Sequence, residues 1–519
     1  MSEAEPAVDL DELRRRAAGK RVAVVGAGAA GLVAAREFAG LGFAVDVFEA
    51  SDAPGGAVRT GEVAGLRLDL GAESFATRGG HVRRLMGELG LGDAVAEPGT
   101  GAGGAWLVGL PGGDAAPLPK GGLLGIPATP FAADVRRIIG WGGAWRAYLA
   151  DTFKPVLTIG HARSLGKLVR SRLGDAVADR LVAPVTNGVY SANADDIDPD
   201  AAAPGLGAAI TTAGRLFTAV DQLQRERRGA AKAPGSAVQG IEGGMGRLIE
   251  ALATDAEKLG ATIRTNAPVS AIERDGAGWR VTVPDGAPGD QDDVSDDDEA
   301  AEPASPAHPE LDAAYDAVYV AVDEAAARRL LAPHVDGLDA APSHAGPAVA
   351  VATLVLDAPE LDAAPRGTGV LTVPGSFRAK ALTHVTAKWG WVRDAAAGRH
   401  VVRVSFGAQG EAPATDGLDD AQASALALEQ AATMLGVPLR AEQLVGFRLE
   451  RFAQSQPAAT IGRAAAVEAA RGAVARVSGL GVAGAWVSGT GLAQVIPDAT
   501  SEAERVRHLV LWGDRADAG

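Results

Sequence analysis

RVAVVGAGAAGLVAAREFAGLGFAVDVFEA (residues 21–50) reads as a strand, a glycine turn, a helix and a second strand with an acid at its tip. The apolar run Val22–Val25 leads directly into Gly26-Ala27-Gly28-Ala29-Ala30-Gly31, and a helical pattern of Leu32, Ala35, Phe38 and Ala39 follows. Each glycine has its own job. Gly26 permits the tight turn, Gly28 lets the backbone approach a pyrophosphate, and Gly31 lets helix and strand pack closely. The helix start offers free N–H groups to the phosphates. Glu49, about 20 residues beyond the glycines, is placed to accept hydrogen bonds from ribose hydroxyls. Glycine spacing alone is a weak signal, but strand, helix and acid in register make a dinucleotide site.

Three further segments select FAD over a nicotinamide. Gly55-Gly56-Ala57, with Arg59-Thr60 close behind, lets the chain pass near the cofactor a second time. Asp69-Leu70-Gly71-Ala72-Glu73-Ser74 reads as a strand end and a turn whose backbone N–H groups face a flavin. Gly484-Ala485-Trp486-Val487-Ser488-Gly489-Thr490-Gly491-Leu492 enters a helix whose positive end stabilises negative charge at the flavin N1/O2 edge. A nicotinamide dehydrogenase needs no such remote segment. The expected cofactor-binding residues are therefore Gly26, Ala27, Gly28, Ala29, Ala30, Gly31, Glu49, Ala50, Gly56, Ala57, Gly71, Ala72, Glu73 and Ser74, joined later in the chain by Val269, Thr490, Gly491 and Leu492.

The 519 residues are enough for two or three domains with large cores. A formal charge of −16 argues against a nucleic-acid partner, because phosphate binding needs a basic face. The chain has no cysteine, which removes disulfides, thiolate metal sites, iron–sulfur clusters and a Cys nucleophile. Its histidines (His81, His161, His308, His334, His344, His384, His400 and His508) are scattered, so no metal is expected. Met1–Lys20 lacks the apolar segment of a signal peptide, and no apolar run is long enough to span a bilayer. A cytoplasmic protein is expected, with peripheral membrane contact left open.

Along the chain, residues 1–20 read as an N-terminal extension and 21–95 as the first part of the FAD domain. From Trp106 to about Phe217 the texture is helical with few strands, giving a substrate-binding and helical domain over 96–225. Gly243-Gly244-Met245 opens a helix at Leu248–Leu259, with strands at Thr262–Arg264 and Val269–Arg274. That places a second FAD-domain part at 236–284 and 310–335. The acidic stretch 285–309 between them cannot bury enough apolar surface to offset its ordering entropy and is expected as a solvated, disordered insertion. Its flanks Trp279–Val283 and Ala317–Val322 are expected as strands of one sheet. Val349–Leu356, Gly369–Val373 and Val401–Phe406 form a second sheet within a substrate-binding domain over 340–470. Val482–Trp486 is a strand and Leu492–Trp512 a closing helix of the third FAD-domain part, 475–519.

The chain resembles the FAD-dependent protoporphyrinogen/coproporphyrinogen III oxidase family within the amine oxidase superfamily, over nearly all of Arg21 to Trp512. Glu49–Thr60 matches at superfamily level. The more specific motifs are LPKGGLLGIP (118–127), SLGK (164–167), LGDAV (173–177), PVTNGVYS (184–191), Gly243-Gly244-Met245, and Lys380-Ala381-Leu382-Thr383-His384 with Lys388-Trp389. The resemblance implies an α/β fold: a Rossmann-like FAD domain of p-hydroxybenzoate hydroxylase type, interleaved with a substrate-binding β-sheet domain and a helical domain. It also implies the six-electron oxidation of a porphyrinogen to a porphyrin in haem biosynthesis, with electrons passing through flavin to dioxygen and giving hydrogen peroxide. Gram-positive and actinobacterial members act on coproporphyrinogen III. The excess of Arg over Lys, a hint of a GC-rich genome, leans the same way. The chain departs from the family at Pro457-Ala458-Ala459, where many members carry Pro-Gln-Tyr. It also has Val495-Ile496 for Cys-Ile, and Asp323 where a proline is usual.

In such a reaction the cofactor does the difficult chemistry, and the protein positions a methylene bridge in a dry cavity. No catalytic base is expected. The substrate's propionates need local cations, and Arg suits carboxylates. Arg78 is the first candidate, because family members carry a basic residue in that loop; Lys120 and Arg59 follow. Tyr190 and Trp389 are expected as core or pocket wall, and Thr383 and His384 as lining. The expected partners are a porphyrinogen and oxygen, with transient contact to a ferrochelatase or a membrane surface. Protoporphyrinogen IX oxidation, an amine or polyene oxidoreductase, and a non-catalytic flavin- or porphyrin-binding protein remain alternatives.

Overall fold

The computed structural model describes residues 10–154, 163–230, 238–284, 314–338, 346–452 and 459–513. The acidic insertion 285–309 and Pro457-Ala458 lie outside the described residues.

A five-stranded, wholly parallel sheet runs in the order Thr262–Arg264, Ala44–Phe48, Arg21–Val25, Ala317–Val320, Leu480–Val482. Alternation along its central strands explains why both faces are covered, as parallel sheets require. Val22, Val24, Val45, Val47, Ala317 and Tyr319 face the helices Ala29–Ala39, Gly246–Lys258 and Leu492–Trp512. Ala23, Val25, Phe48, Val318 and Val320 face the hairpin Ala271–Asp275/Gly278–Thr282 and the helices Glu324–Leu331 and Arg463–Ala475. The glycine turn after Val25, Glu49 after Phe48 and Gly484 after Val482 leave the sheet's carboxyl edge, the edge on which open α/β sheets bind ligands.

Several sequence expectations are corrected here. Trp279 and Ala317 belong to different sheets: Gly278–Thr282 pairs only with Ala271–Asp275, and a single bridge, Trp279 to Tyr315, links the hairpin to the segment before Ala317. Val269 precedes the strand instead of opening it. The last strand is Leu480–Val482, after which Gly484 (φ 116°) breaks the extended chain and Ala485–Ser488 turns helical. Glycine at positive φ ends a strand as effectively as it ends a helix.

The second sheet has seven strands in the order Leu444–Phe452, Val349–Leu356, His400–Phe406, Ala379–His384, Gly369–Thr372, Ala105–Leu110, Asp114–Pro117. The last two correct the expectation that helical texture begins at Trp106. Periodicity over a six-residue strand is too short to stand out beside the long helices that follow. One face of this sheet packs on the helix Asp420–Leu435. The other looks toward the parallel-sheet unit and toward the helix Ala183–Tyr190.

The helical cluster has its own core, built from Val135, Ile138, Ile139, Leu165, Val169, Leu181 and Leu216 among others. Asp151, 1 % exposed, pairs with Arg172 at 3.1 Å and accepts the N–H groups of Leu216 (2.9 Å) and Phe217 (3.0 Å), so one buried acid caps a helix and neutralises a buried cation. The helix Ala133–Phe153 breaks at Gly140 (φ 71°) and turns Trp141, Trp145, Tyr148, Leu149 and Phe153 outward. Asp323, the residue in place of the usual proline, caps Glu324–Leu331 by accepting from Ala326 N–H at 3.0 Å. Val495 and Ile496 are buried on the closing helix, which packs against Ala29–Ala39.

Candidate active site

The first turn forms because Gly26 N–H donates to Phe48 O (2.7 Å) while Gly26 adopts φ 99°. A Cβ there would lie 2.6 Å from Ala321 O, and one at Gly31 would lie 1.9 Å from Gly26 O. Gly28 differs from both: its φ of −71° is ordinary, and an added Cβ would meet nothing within 4 Å. Open space on that side, beside a helix whose N-cap Gly28 supplies no capping side chain, is what a pyrophosphate needs. The Glu49 carboxylate is fixed across the turn. It accepts Ala27 N–H (2.7 Å), Ser51 N–H (3.0 Å) and the Ser51 hydroxyl (2.6 Å), leaving an acceptor edge at the tip of the second strand. These residues fit the adenosine half of FAD.

The glycine pair is stitched to this turn. Gly55 N–H donates to Ala27 O at 3.0 Å, and Gly28 and Gly55 form a parallel bridge. On its far side Ala57 O accepts Ala72 N–H (2.9 Å) and Arg59 O accepts Leu70 N–H (2.9 Å), and a Cβ on Gly71 would come within 2.1 Å of Ala57 O. The structure thus links Gly26–Gly31, Gly56, Ala57, Gly71 and Ala72 through one set of backbone contacts, with Gly28, Gly56, Ala57, Gly71 and Ala72 at least partly exposed and the rest of the turn buried. Asn266 and Ala267 N–H donate to Ser51 O and Glu49 O, which sets the following Val269 beside the same tip, its side chain in the core. Ala483 N–H donates to Val320 O, so the segment leading to Thr490, Gly491 and Leu492 starts next to the first turn. The closing helix then packs on Ala29–Ala39 and on Phe75–Ala76.

Glu73 plays a part beyond its place in the turn. Its carboxylate pairs with Lys388 Nζ and, at 3.2 Å, with Arg403. Arg403 also donates to Leu70 O (2.9 Å) and Gly71 O (2.6 Å). Burial pushes the Glu73 carboxyl up, but Lys388 and Arg403 outweigh it and hold its pKa below the usual carboxylate range. Behind the turn lies a small cavity of about 10 Å³, bordered by Asp69, Glu73, Trp389, Trp391 and Arg403. Asp69 accepts Met245 N–H (2.8 Å) and the Thr60 hydroxyl (3.1 Å), capping the helix that Gly243-Gly244-Met245 opens. Burial raises its pKa to about 6 against those hydrogen bonds. Sequence reasoning missed Arg403 and the pairing of Lys388. The available signal was a lone arginine inside the apolar run Val401–Phe406, since a charge in such a strand needs a partner.

The candidate substrate cations divide. Arg78 is exposed and Lys120 is exposed, and neither side chain has an ion-pair partner among the described residues. Arg59 pairs with Glu450 at 3.4 Å and lies 3.9 Å from Asp52, so it ties the turn to the second sheet instead of waiting for a ligand. Trp389 is 2 % exposed in a core cluster, and Tyr190 OH donates to Ala202 O at 3.3 Å. Thr383 pairs in register with Arg403 and shares its face, but His384 points away from it. There His384 Nε2 lies 3.3 Å from His400 Nδ1, and His400 lies 3.0 Å from Asp362. The lining role expected for His384 is therefore corrected.

Burial, with the His400 ring adding to it, lowers the His384 pKa to about 4. A histidine whose folded pKa lies below its unfolded value contributes stability above about pH 6.5, and that contribution is lost as pH falls toward 4, for a total of about 3 kcal/mol. Asp69 works the other way over much of the same window. The comparison that isolates His384 is the urea midpoint of wild type against His384→Gln at pH 7.5 and pH 4.5. The wild type should lose more on acidification; equal losses would remove the effect.

Comparison with known proteins bears on this geometry. The sequence profile of flavin-containing amine oxidoreductases matches residues 29–507. The coproporphyrinogen III oxidase of Mycobacterium bovis is 30% identical over 481 residues, covering 90% of this chain and 93% of that protein. The coproporphyrinogen III oxidase of Staphylococcus aureus is 28% identical over 259 residues, 49% of this chain and 55% of that one. Among solved structures, a protoporphyrinogen oxidase candidate from Exiguobacterium sp. 255-15 superposes with a TM-score of 0.76 at 23% identity, covering 94% of this chain and 99% of that one. Wild-type putrescine oxidase bound to putrescine superposes with a TM-score of 0.62 at 18% identity, covering 95% and 99%. The α/β fold with its parallel sheet is that of the amine oxidase FAD proteins.

Proposed function

The chain belongs to the flavin-containing amine oxidoreductase family and takes FAD as its cofactor, and from there we propose that it oxidises coproporphyrinogen III to coproporphyrin III in haem biosynthesis. The observation that carries the proposal is the near full-length similarity to a coproporphyrinogen III oxidase. Bound FAD supplies the two-electron oxidations and hands the electrons to dioxygen, giving hydrogen peroxide.

The chain's own residues hold and orient. Gly28 and the uncapped start of Ala29–Ala39 receive the pyrophosphate, Glu49 the ribose, and the turn Gly71–Ser74 the flavin edge. Arg403 fixes that turn from behind through two carbonyls and Glu73. Asp69, the one carboxyl near the turn with a pKa raised toward neutrality, has its oxygen engaged by Met245 N–H and Thr60 and acts as a cap, not a base. Porphyrinogen oxidation gains conjugation and asks for no strong base, so the site needs none. Exposed Arg78 and Lys120 are the cations this reading offers to substrate propionates.

The test is anaerobic mixing of the yellow holoenzyme with coproporphyrinogen III. Bleaching of the flavin colour, then porphyrin fluorescence and peroxide on admitting air, is the expected result. A flavin that stays oxidised with coproporphyrinogen III but bleaches with protoporphyrinogen IX would move the assignment to that substrate.

We place the protein in the cytoplasm, with peripheral contact to anionic membranes. Among the described residues no helix is long and apolar enough to cross a membrane. The outward face of Ala133–Phe153 carries Trp141 (60 % exposed), Trp145 (52 %) and Phe153 (77 %) beside Arg136, Arg137 and Arg146, an aromatic face with cationic neighbours suited to an anionic lipid interface. Arg136 stacks over Trp141 at 4.1 Å. Wild type should sediment with phosphatidylglycerol vesicles at low salt, and Trp141→Ser with Trp145→Ser should stay in the supernatant. Failure of wild type to sediment would end this part of the proposal.

A further inference from the structure

Among the described residues, buried Lys and Arg side chains follow a rule with one exception. Arg172, Arg328, Arg403 and Arg463 each face a carboxylate: Asp151, Glu324, Glu73 and Glu324. Lys380 is 7 % exposed, and no carboxylate pairs with it among the described residues. Its Nζ donates to the Ser191 hydroxyl. A buried ammonium without a counter-charge is costly, and this chain carries 65 acidic residues against 49 basic ones. Placing no acid there is a specific arrangement.

The backbone aims this lysine. Along the strand Ala379–His384, Ala379 pairs with Phe406 and Ala381 with Ser405, so Lys380 is the extra residue of a bulge. Ala379 and Leu382 lie in the core beneath Asp420–Leu435. Ala381 pairs with Leu371, which lies where a Gly188 side chain would begin, on the face covered by Ala183–Tyr190. The bulge turns Lys380 out of the core side and toward Ser191, at the end of that helix. Bulges re-aim side chains in this way beside active sites. Ser191 itself sits at φ 53°, an uncommon conformation for a non-glycine residue, with its carbonyl fixed by Gln409 N–H at 2.6 Å.

Lys380 also stands at a useful distance. The Thr383–Arg403 rung touches the flavin-side turn, and Lys380 is three residues along the strand from it, roughly 10 Å. Between them the same face offers Ala381 and Ser405, which, like Thr383 on the rung itself, are small and partly exposed. Only short side chains thus separate the flavin-side rung from the cation.

We propose that Lys380 is a carboxylate-binding residue that anchors a propionate of the tetrapyrrole while the opposite edge meets the flavin. The proposal rests on the porphyrinogen reading above and adds the residue that favours a substrate with more carboxylates.

The experiment titrates holoenzyme with coproporphyrin III, following porphyrin fluorescence, for wild type, Lys380→Met and Lys380→Arg. Lys380→Met should weaken binding roughly 10- to 100-fold, Lys380→Arg should retain most of it, and coproporphyrin tetramethyl ester should bind the wild type and Lys380→Met equally. FAD content and urea midpoint should be unchanged or higher in Lys380→Met. A lowered midpoint with unchanged coproporphyrin affinity would make Lys380 a strap between sheet and helix and overturn the proposal. Wild type that binds coproporphyrin III through Lys380 yet makes no peroxide would sink the oxidase reading and leave the carboxylate site standing. Wild type that binds no porphyrin would sink both.

Discussion

Gly28→Val is expected to give a folded, colourless protein. The turn glycines differ in what they guard, and that difference makes the experiment clean. At Gly26 and Gly31 a side chain would strike backbone at 2.6 and 1.9 Å, so replacement there breaks the sheet–helix junction and loses protein and cofactor together. Gly28 has ordinary dihedrals and free space where a Cβ would stand. Valine can therefore be accommodated by the polypeptide, and its methyl groups occupy the volume the pyrophosphate needs. FAD affinity should fall by at least roughly 100-fold, about 2.7 kcal/mol, while circular dichroism and the urea midpoint of the apoprotein match those of wild-type apoprotein. A yellow Gly28→Val protein would show that the phosphates bind elsewhere.

Arg403→Met should be the most damaging single change outside the glycine turns. It removes the donors to Leu70 O and Gly71 O and leaves the half-buried Glu73 with Lys388 as its only cation. Breaking a fully buried ion pair from one side costs about 3–5 kcal/mol, and the partial exposure of Glu73 puts this pair at or below the lower end of that range. The loss falls on the turn expected to face the flavin, so the variant should show both a lowered urea midpoint and faster FAD release. Glu73→Gln, which leaves buried Arg403 and half-buried Lys388 facing a neutral amide, should be destabilising as well. In the double variant the two penalties should add to less than their sum, because the second change removes a charge already stranded by the first. Strict additivity, or an Arg403→Met protein with normal FAD retention, would mean the cluster does not hold the turn.

What could be seen in the sequence was whatever is local. The turn at Gly26–Gly31, the acid Glu49 and the helix Leu492–Trp512 announce themselves within a few residues, because strand and helix periods and glycine positions are properties of short windows. The strand at Ala105–Leu110 was hidden because one partner, Gly369–Thr372, lies more than 250 residues away, while the near one, Asp114–Pro117, is only four residues long. Pairings across such distances leave no local period. Arg403, Lys388 and Glu73 are likewise legible as residues but not as a cluster, and nothing local announces the pairing of Arg59 with Glu450. The bulge at Lys380 had no sequence signal of its own, since a single additional residue in a strand alters pairing, not composition.

The parallel sheet takes its strands from residues 21–48, 262–264, 317–320 and 480–482. During synthesis, the strand Ala317–Val320 must therefore wait with one edge bare until Leu480–Val482 has left the ribosome. Unpaired edges and late long-range closure are what make nascent chains aggregate and fold slowly. A nascent chain halted before Leu480 is accordingly expected to hold no flavin and to co-purify with chaperones, and release of the full chain should restore the yellow colour.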